Sequence, residues 1–171
     1  MTELRRPALL DVSLHDRTAF DSGEGTLDNW LRHYAGQNRR RDTAATWVVA
    51  DSGDTIVAYA TVAMTAIDRS TAPAIVAHQA PDPVPALLIG RLAVDRRHTG
   101  QGIGTALAAH ILATAVELNQ KAACRAVIVS ALHAEARRWW ERLGFHPLEP
   151  AGSLDLYLLT SDIQATLERL R

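Results

Sequence analysis

Three glycines at alternate positions, Gly100, Gly102 and Gly104, stand between an apolar run and a helical pattern. The run, Ala86 to Val94, has the composition of a buried strand, and Ile103, Leu107 and Ile111 recur at helical spacing. A basic turn, Arg96, Arg97 and His98, lies between strand and glycines. Glycine accepts dihedrals closed to other residues and lets a ligand approach the main chain. The first amides of a helix have no intrahelical carbonyl and sit at the positive end of its dipole. A strand that runs through glycines into a helix is therefore an anion seat, and a phosphorylated cofactor is the expected guest. The backbone N–H groups of Arg97, Gly100, Gln101, Gly102, Ile103, Gly104 and Thr105 are the candidate donors, with the side chain of Arg96 or Arg97 adding charge.

Two familiar phosphate loops do not fit. A Walker loop ends in Gly-Lys followed by Ser or Thr, whereas Gly104 is followed by Thr105 and Ala106. A dinucleotide fingerprint places its third glycine three residues after the second and an acid about twenty residues further on. Here the spacing is Gly-x-Gly-x-Gly, and the next strand candidate, Ala126 to Val129, ends without an acid. The segment Arg97-His98-Thr99-Gly100-Gln101-Gly102 fills the pattern Gln/Arg-x-x-Gly-x-Gly/Ala. It resembles the pyrophosphate loop of the GNAT superfamily of N-acetyltransferases, whose cofactor is acetyl-CoA. The flanking strand Leu92-Ala93-Val94-Asp95 fits that resemblance. So does Glu135 to Phe145, which is similar to the fourth helix of the fold with its Gly-Phe ending. The resemblance implies that the backbone of Leu92, Ala93 and Val94 pairs with the pantetheine arm. Ser130, at the end of the next strand, is then either a pantetheine neighbour or a helix-capping serine.

The N-terminal half narrows the resemblance. Phe20-Asp21-Ser22-Gly23-Glu24-Gly25-Thr26-Leu27-Asp28-Asn29-Trp30-Leu31-Arg32, followed by Ala35, Gln37, Asn38, Arg39 and Arg40, is similar to the acetyltransferase toxins of bacterial toxin–antitoxin pairs. That likeness covers nearly the whole chain. It implies acetyl transfer to the α-amino group of aminoacyl-tRNA, which blocks translation. It also implies a ribbon-helix-helix antitoxin partner and a homodimer.

Direct transfer needs a neutral amine and protonation of the departing thiolate. A lysine amine, near pKa 10.4, is almost entirely charged at neutral pH, whereas an α-amine near 7.7–8.0 keeps a sizeable neutral fraction. The gap of about 2.5 units corresponds to roughly 3.4 kcal/mol of deprotonation that the enzyme need not supply. No carboxylate or histidine base stands out in the sequence, which suits an α-amine acceptor. The acid departs from the toxin pattern. Related toxins carry a tyrosine on the fourth helix, and this chain has Trp139-Trp140, with Trp140 in the tyrosine's place. An indole N–H donates a hydrogen bond but is no proton source near neutrality. Three readings are open. Trp140 steadies the thiolate while water supplies the proton; Tyr157 or His133 substitutes; or the protein is a weak catalyst. Both tryptophans also suit the core of an amphipathic helix.

Arginine dominates the basic residues, with Lys121 the single lysine. Arg32, Arg39, Arg40 and Arg41 cluster, and together with Arg91 and Arg138 they are candidates for tRNA phosphates. A solvated charge run is the plainer explanation. Net charge is −1, which argues against indiscriminate nucleic-acid binding. An acetyltransferase for small amines or protein N-termini, and a weakly catalytic acetyl-CoA-binding module, are the alternatives.

Length and pattern set the frame. The 171 residues suit one domain spanning 1–171, 47% of them hydrophobic. No run reaches membrane-spanning length and no charged-then-apolar leader is seen, so a cytoplasmic protein without membrane contact is expected. A lone cysteine, Cys124, fits that compartment. The expected elements are a strand over 9–14, a helix over 27–37 capped by Thr26, and a hairpin of strands over 46–50 and 55–66. An irregular stretch over 68–85 follows, then the central strand, and a helix from the glycines to about 118. A strand over 126–130, a helix over 134–143 closed by Gly144, and a strand over 154–159 come next. A last short helix is introduced by the Ser161/Gln164 capping box. The order predicts an α/β fold with a mixed, mostly antiparallel sheet flanked by helices, as in the GNAT acyltransferases.

Overall fold

The chain alternates short strands with helices in a computed structural model that describes residues 2–149 and 153–171. Its elements in order are β1 (Ala8–Leu9), α1 (Gly25–His33), α2 (Ala35–Arg40), β2 (Ala45–Ala50), β3 (Ile56–Ile67), α3 (Ala74–Ala77) and β4 (Val84–Val94). After a 3₁₀ turn at Arg96–His98 come α4 (Ile103–Lys121), β5 (Ala126–Ser130), α5 (Ala134–Arg142), β6 (His146–Pro147), β7 (Asp155–Leu159) and α6 (Ile163–Arg169). The strands form one mixed seven-stranded sheet in the order β1-β2-β3-β4-β5-β7-β6, with β4 and β5 parallel. The chain divides into two compact units, residues 1–63 with 90–110, and residues 64–89 with 111–171.

In the first unit, β2 and β3 form the expected antiparallel hairpin, with a register shift between Val49 and Ala50. Phe20, Trp30, Leu31, Ala35, Val48, Ile56, Tyr59 and Ala93 pack as its core. The strand expected over 9–14 ends at Leu9. The Asp11 carboxylate accepts from the Ser13 amide and hydroxyl, and its carbonyl accepts from Leu14 and His15, so the chain turns instead of extending. The helix expected over 27–37 is two helices. Tyr34, with φ −118°, ends α1 and begins α2, and its own amide donates to the Trp30 carbonyl. Arg39 and Arg40, beyond the expected helix end at 37, lie in α2. Thr26 does not cap: the N-cap position is Glu24, and the buried Asp28 carboxylate reaches back to the Ser22 amide and hydroxyl.

In the second unit, β4 pairs with β5 from Ala86↔Ala126 to Ile89↔Val129, and β5 pairs antiparallel with β7. Val76, Ala80, Val84, Ala86, Ala126, Ile128, Tyr157 and Leu159 form its core. The stretch over 68–85 holds the short helix α3 and the first residues of β4. Gly144 closes α5 with φ +109°, and a Cβ there would lie 2.6 Å from Arg169 Nη2. The Ser161/Gln164 capping box does not form. A 3₁₀ turn over Thr160–Asp162 delays α6 to Ile163, so Gln164 falls inside the first turn and its Nε2 lies 3.4 Å from Glu168 Oε1.

Candidate functional site

The glycine segment is fixed from below by a buried carboxylate. Asp95, fully shielded from solvent, follows the last residue of β4. Its side chain accepts from the Arg97 amide at 2.9 Å, from Arg97 Nε and Nη2 at 2.9 and 2.8 Å, and from the Asp21 amide at 3.1 Å. Its own amide donates to the Val57 carbonyl of β3 at 2.8 Å. The Arg97 hydrogen bonds hold the Asp95 carboxyl well below the usual carboxylate range, despite burial, and Asp95 in turn raises Arg97. Arg96 forms an ion pair with Asp21, and its amide donates to the Asp21 carbonyl at 2.9 Å. Arg97 also reaches the Ala19 carbonyl at 3.1 Å. The basic turn is thus bound to residues 19–21. Both guanidiniums are matched by carboxylates, so their side chains do not bring the free positive charge the sequence suggested.

What stays open is main chain. Gly100 and Gly102 have φ of +77° and +78°, and a Cβ at either would meet nothing within 4 Å. Here glycine is required by backbone conformation, and the space beside it is free. The Ala106 amide donates to the Gly102 carbonyl at 3.0 Å, the first bond of α4. The amides of Ile103, Gly104 and Thr105 therefore stand at the helix mouth without intrahelical partners. Ile103 and Gly104 are buried, which seats that mouth, while Gln101 and Thr99 are exposed. The donor set of neutral amides on an open helix mouth suits a diphosphate. Upstream, β4 runs on from Ile89 to Val94, and among the described residues no β5 residue is in register with it beyond Ile89. Ala93 is buried, and Leu92 and Val94 are half-buried.

The second unit holds the candidate proton donors. Trp140 is 5% exposed and Tyr157 9%. Trp140 makes edge contacts with Trp139 at 4.8 Å and with Phe145 at 5.1 Å between ring centroids. Of the two tryptophans it is Trp140 that is buried, with Trp139 half-buried. Tyr157 lies opposite Ile128 and His146 in the sheet, with its ring 5.7 Å from the His146 ring. Burial, with Asp162 adding to it, pushes the Tyr157 phenol up. His133 is the N-cap of α5, its Nδ1 accepting from the Ala136 amide at 3.1 Å. Ser130 is not that cap: its hydroxyl donates to Asp155 Oδ1 at 2.7 Å.

The arginines divide. Arg39, Arg40 and Arg41 are exposed at the end of α2, Arg138 is exposed on α5, and no carboxylate among the described residues pairs with these four. Arg32 donates to the Phe20 carbonyl at 2.8 Å, and Arg91 lies over the Trp30 ring at 4.4 Å. The sequence reading missed Asp95, Asp21 and Asp28 as organisers. The signal for Asp95 was present: an aspartate ending a strand two residues before an arginine is placed to accept the i+2 amide of a turn. Among the described residues no helix is long and apolar enough to cross a membrane, and no group of side chains is arranged to hold a metal ion.

Residues 9–145 match the acetyltransferase (GNAT) family. The chain belongs to that family. Within it, the chain is 36% identical over 152 residues to a tRNA-acetylating toxin of Mycobacterium tuberculosis, covering 89% of this chain and 90% of the toxin. Among solved structures, AtaT complexed with acetyl-methionyl-tRNAfMet superposes with a TM-score of 0.87 at 24% identity, covering 95% of this chain and 98% of that one. A tyrosine-to-phenylalanine mutant of AtaT, bound to the C-terminus of the antitoxin AtaR and acetyl-CoA, gives 0.82 at 24% identity, covering 95% and 97%.

Proposed function

We propose that this protein is a toxin-type N-acetyltransferase that moves an acetyl group from acetyl-CoA to the α-amino group of aminoacyl-tRNA and so blocks translation. The observation that carries the reading is the open helix mouth at Gly100 to Thr105, where two positive-φ glycines leave room beside free amides. The 36% identity to a tRNA-acetylating toxin directs that seat toward a charged tRNA. The whole chain, 1–171, is read as one acetyltransferase domain, in line with a family match spanning 9–145.

The amides of Gly100, Gln101, Gly102, Ile103, Gly104 and Thr105 hold the diphosphate; the Arg97 amide, expected among them, is already given to the Asp95 carboxylate. The backbone of Leu92, Ala93 and Val94 aligns the pantetheine arm. Ser130, tied to Asp155, is a pantetheine neighbour through its oxygen. Acetyl-CoA, once bound, supplies the activated acyl thioester. Asp95 acts on this seat as a positioning residue, since it fixes the turn from which the loop departs. The acceptor α-amine needs no strong base. The thiolate's proton comes from water: Trp140 is buried among aromatic rings, and His133 is committed to capping α5. A second reading gives that proton to Tyr157, a phenol that is protonated at neutral pH at its ordinary pKa, although burial makes it a weaker donor. Arg39, Arg40, Arg41 and Arg138 supply exposed charge to tRNA phosphates, and Arg32 steadies the chain at Phe20 beside them in sequence.

The test mixes purified protein, acetyl-CoA and charged tRNA. Acetylated aminoacyl ends, with stoichiometric thiol release, are expected. Release with small amines or peptide N-termini and none with any charged tRNA would overturn the assignment in favour of a different acetyltransferase. Cofactor binding without release on any acceptor would leave a binding module. The reading extends to a ribbon-helix-helix antitoxin, a homodimer and a cytoplasmic location, since AtaT is bound to an antitoxin and charged tRNA is cytoplasmic. Co-expression with the product of a neighbouring small gene, followed by mass measurement of the complex, tests the partner and the stoichiometry together.

A further inference from the structure

Arg91 is the half-buried arginine of the first unit to which the fold gives no acceptor. It lies on β4 two residues before Ala93 and so on the same face of the strand. Its guanidinium carbon is 4.4 Å from the centroid of the Trp30 ring. That indole is stacked on Tyr59, with centroids 6.1 Å apart and planes 6° from parallel. Tyr59 is itself locked, its hydroxyl donating to the Leu27 carbonyl at 2.6 Å and Phe20 meeting its ring edge-on at 5.5 Å. The result is a rigid platform with a planar cation on top.

The neighbouring arginines differ. Arg17 donates to the Leu31 carbonyl, Arg32 to the Phe20 carbonyl, Arg96 pairs with Asp21 and Arg97 with Asp95. The nearby acid Asp28 is used by Ser22. Among the described residues nothing accepts a hydrogen bond from the Arg91 guanidinium. Partial burial pulls its pKa down, with the neighbouring Tyr59 opposing that shift. Five donors in a flat fork, half-buried and without a protein acceptor, are matched by a phosphoryl oxygen pair. The diphosphate at the glycine mouth is not that group. At about 3.3 Å per strand residue, Arg91 lies roughly 13 Å along the chain from Asp95, where the turn into the glycines begins.

We propose that Arg91, braced by Trp30 and Tyr59, grips a backbone phosphate of the RNA acceptor and so positions it. The proposal rests on the tRNA reading above and adds to it a single, located anion receptor, distinct from the exposed arginines of α2. The indole and phenol beneath the strand arginine are themselves part of the core of the first unit, which fixes where the guanidinium lies.

The experiment compares wild type with Arg91→Gln and Arg91→Lys in three measurements. These are acetyl-CoA affinity by calorimetry, steady-state KM and kcat for aminoacyl-tRNA, and binding of uncharged tRNA across a salt series. Arg91→Gln should raise the tRNA KM by about tenfold, the loss of one bidentate charged contact, while acetyl-CoA affinity and kcat stay within about twofold. The slope of log K against log salt should fall by about 0.7, the share of one phosphate on a single strand. Arg91→Lys, which keeps the charge but not the fork, should recover part of the loss. Weaker acetyl-CoA binding with an unchanged tRNA KM would assign Arg91 to the cofactor's phosphates and overturn the proposal. An unchanged salt slope would overturn it as well. If no charged tRNA is acetylated by wild type, the functional reading fails on its own, and the uncharged-tRNA series still decides whether Arg91 meets RNA. Should Arg91→Gln not fold, the salt slope of Trp30→Phe, which leaves a smaller ring under the guanidinium, decides the same question.

Discussion

The glycine mouth and the aromatic group around Trp140 treat their functional atoms in opposite ways. At the mouth, side-chain charge is cancelled: Arg97 is matched by Asp95 and Arg96 by Asp21. The main chain is left open, with Gly100 and Gly102 at positive φ beside free space. Around Trp140 the side chains close on each other, ring on ring, and His133 is drawn into helix capping. The difference teaches where binding strength resides. Neutral amides and a helix dipole hold an anion without needing side-chain charge, whereas packed rings contribute stability and little direct chemistry.

Four changes separate the two regions, in order of expected effect. Gly102→Val forces a β-branched residue to φ +78° and puts methyl groups where the ligand sits. Acetyl-CoA affinity measured by calorimetry should fall by more than about 100-fold, the strain of a left-handed non-glycine residue (~1–2 kcal/mol) adding to the block. Asp95→Asn keeps an acceptor oxygen but removes the charge that Arg97 and the Asp21 amide share. Urea unfolding should show a loss of about 2–3 kcal/mol, typical of a hydrogen bond to a buried charged group, and the acetyl-CoA KM should rise more than kcat falls.

The third change is in pH. The folded Asp95 carboxyl is lowered relative to the unfolded chain, so it contributes stability above the unfolded carboxylate value near 3.9. That contribution is lost as pH falls from about 5 toward and through the folded value. Thermal midpoints between pH 6 and pH 3 should therefore drop more for wild type than for Asp95→Asn. Equal drops would show that the Arg97 pairing is not what the carboxylate gains on folding. The smallest effect is at the other region. Trp140→Phe should change kcat by less than about threefold if water supplies the proton, whereas a residue acting as general acid is worth about 10²–10⁴-fold. Tyr157→Phe sharpens the same point, since a loss in that larger range would move the proton to the phenol.

Much of this was legible in the chain. Strand 126–130, the central strand, the glycine loop and the Gly144 helix end follow from local signals that tertiary structure does not override, namely continuous apolar runs and glycines at fixed offsets. The family inferred from Arg97 to Gly102 and from Phe20 to Arg40 was borne out, as was the mixed sheet with flanking helices. What periodicity could not supply was pairing between distant residues. Leu27, Trp30, Leu31 and Tyr34 recur as in one helix, yet the chain breaks at Tyr34. Leu9 to Leu14 alternates weakly as a strand would, and Asp11 turns it through its own side chain. The partners of Ser130 and of Asp21, and the Ala19 carbonyl that Arg97 reaches, lie between 25 and 78 residues away, and composition carries no record of them. The choice between Trp139 and Trp140 for the core likewise turns on which side of α5 meets Phe145.

The central claim is that main-chain amides, not arginine side chains, hold acetyl-CoA. Titration calorimetry of acetyl-CoA into wild type, Gly102→Val and Arg96→Gln tests it most directly. The account predicts clear binding to wild type, affinity within about threefold for Arg96→Gln because its charge is already matched by Asp21, and no measurable heat for Gly102→Val. Arg96→Gln losing as much affinity as Gly102→Val, or no association with the wild-type protein, would contradict it.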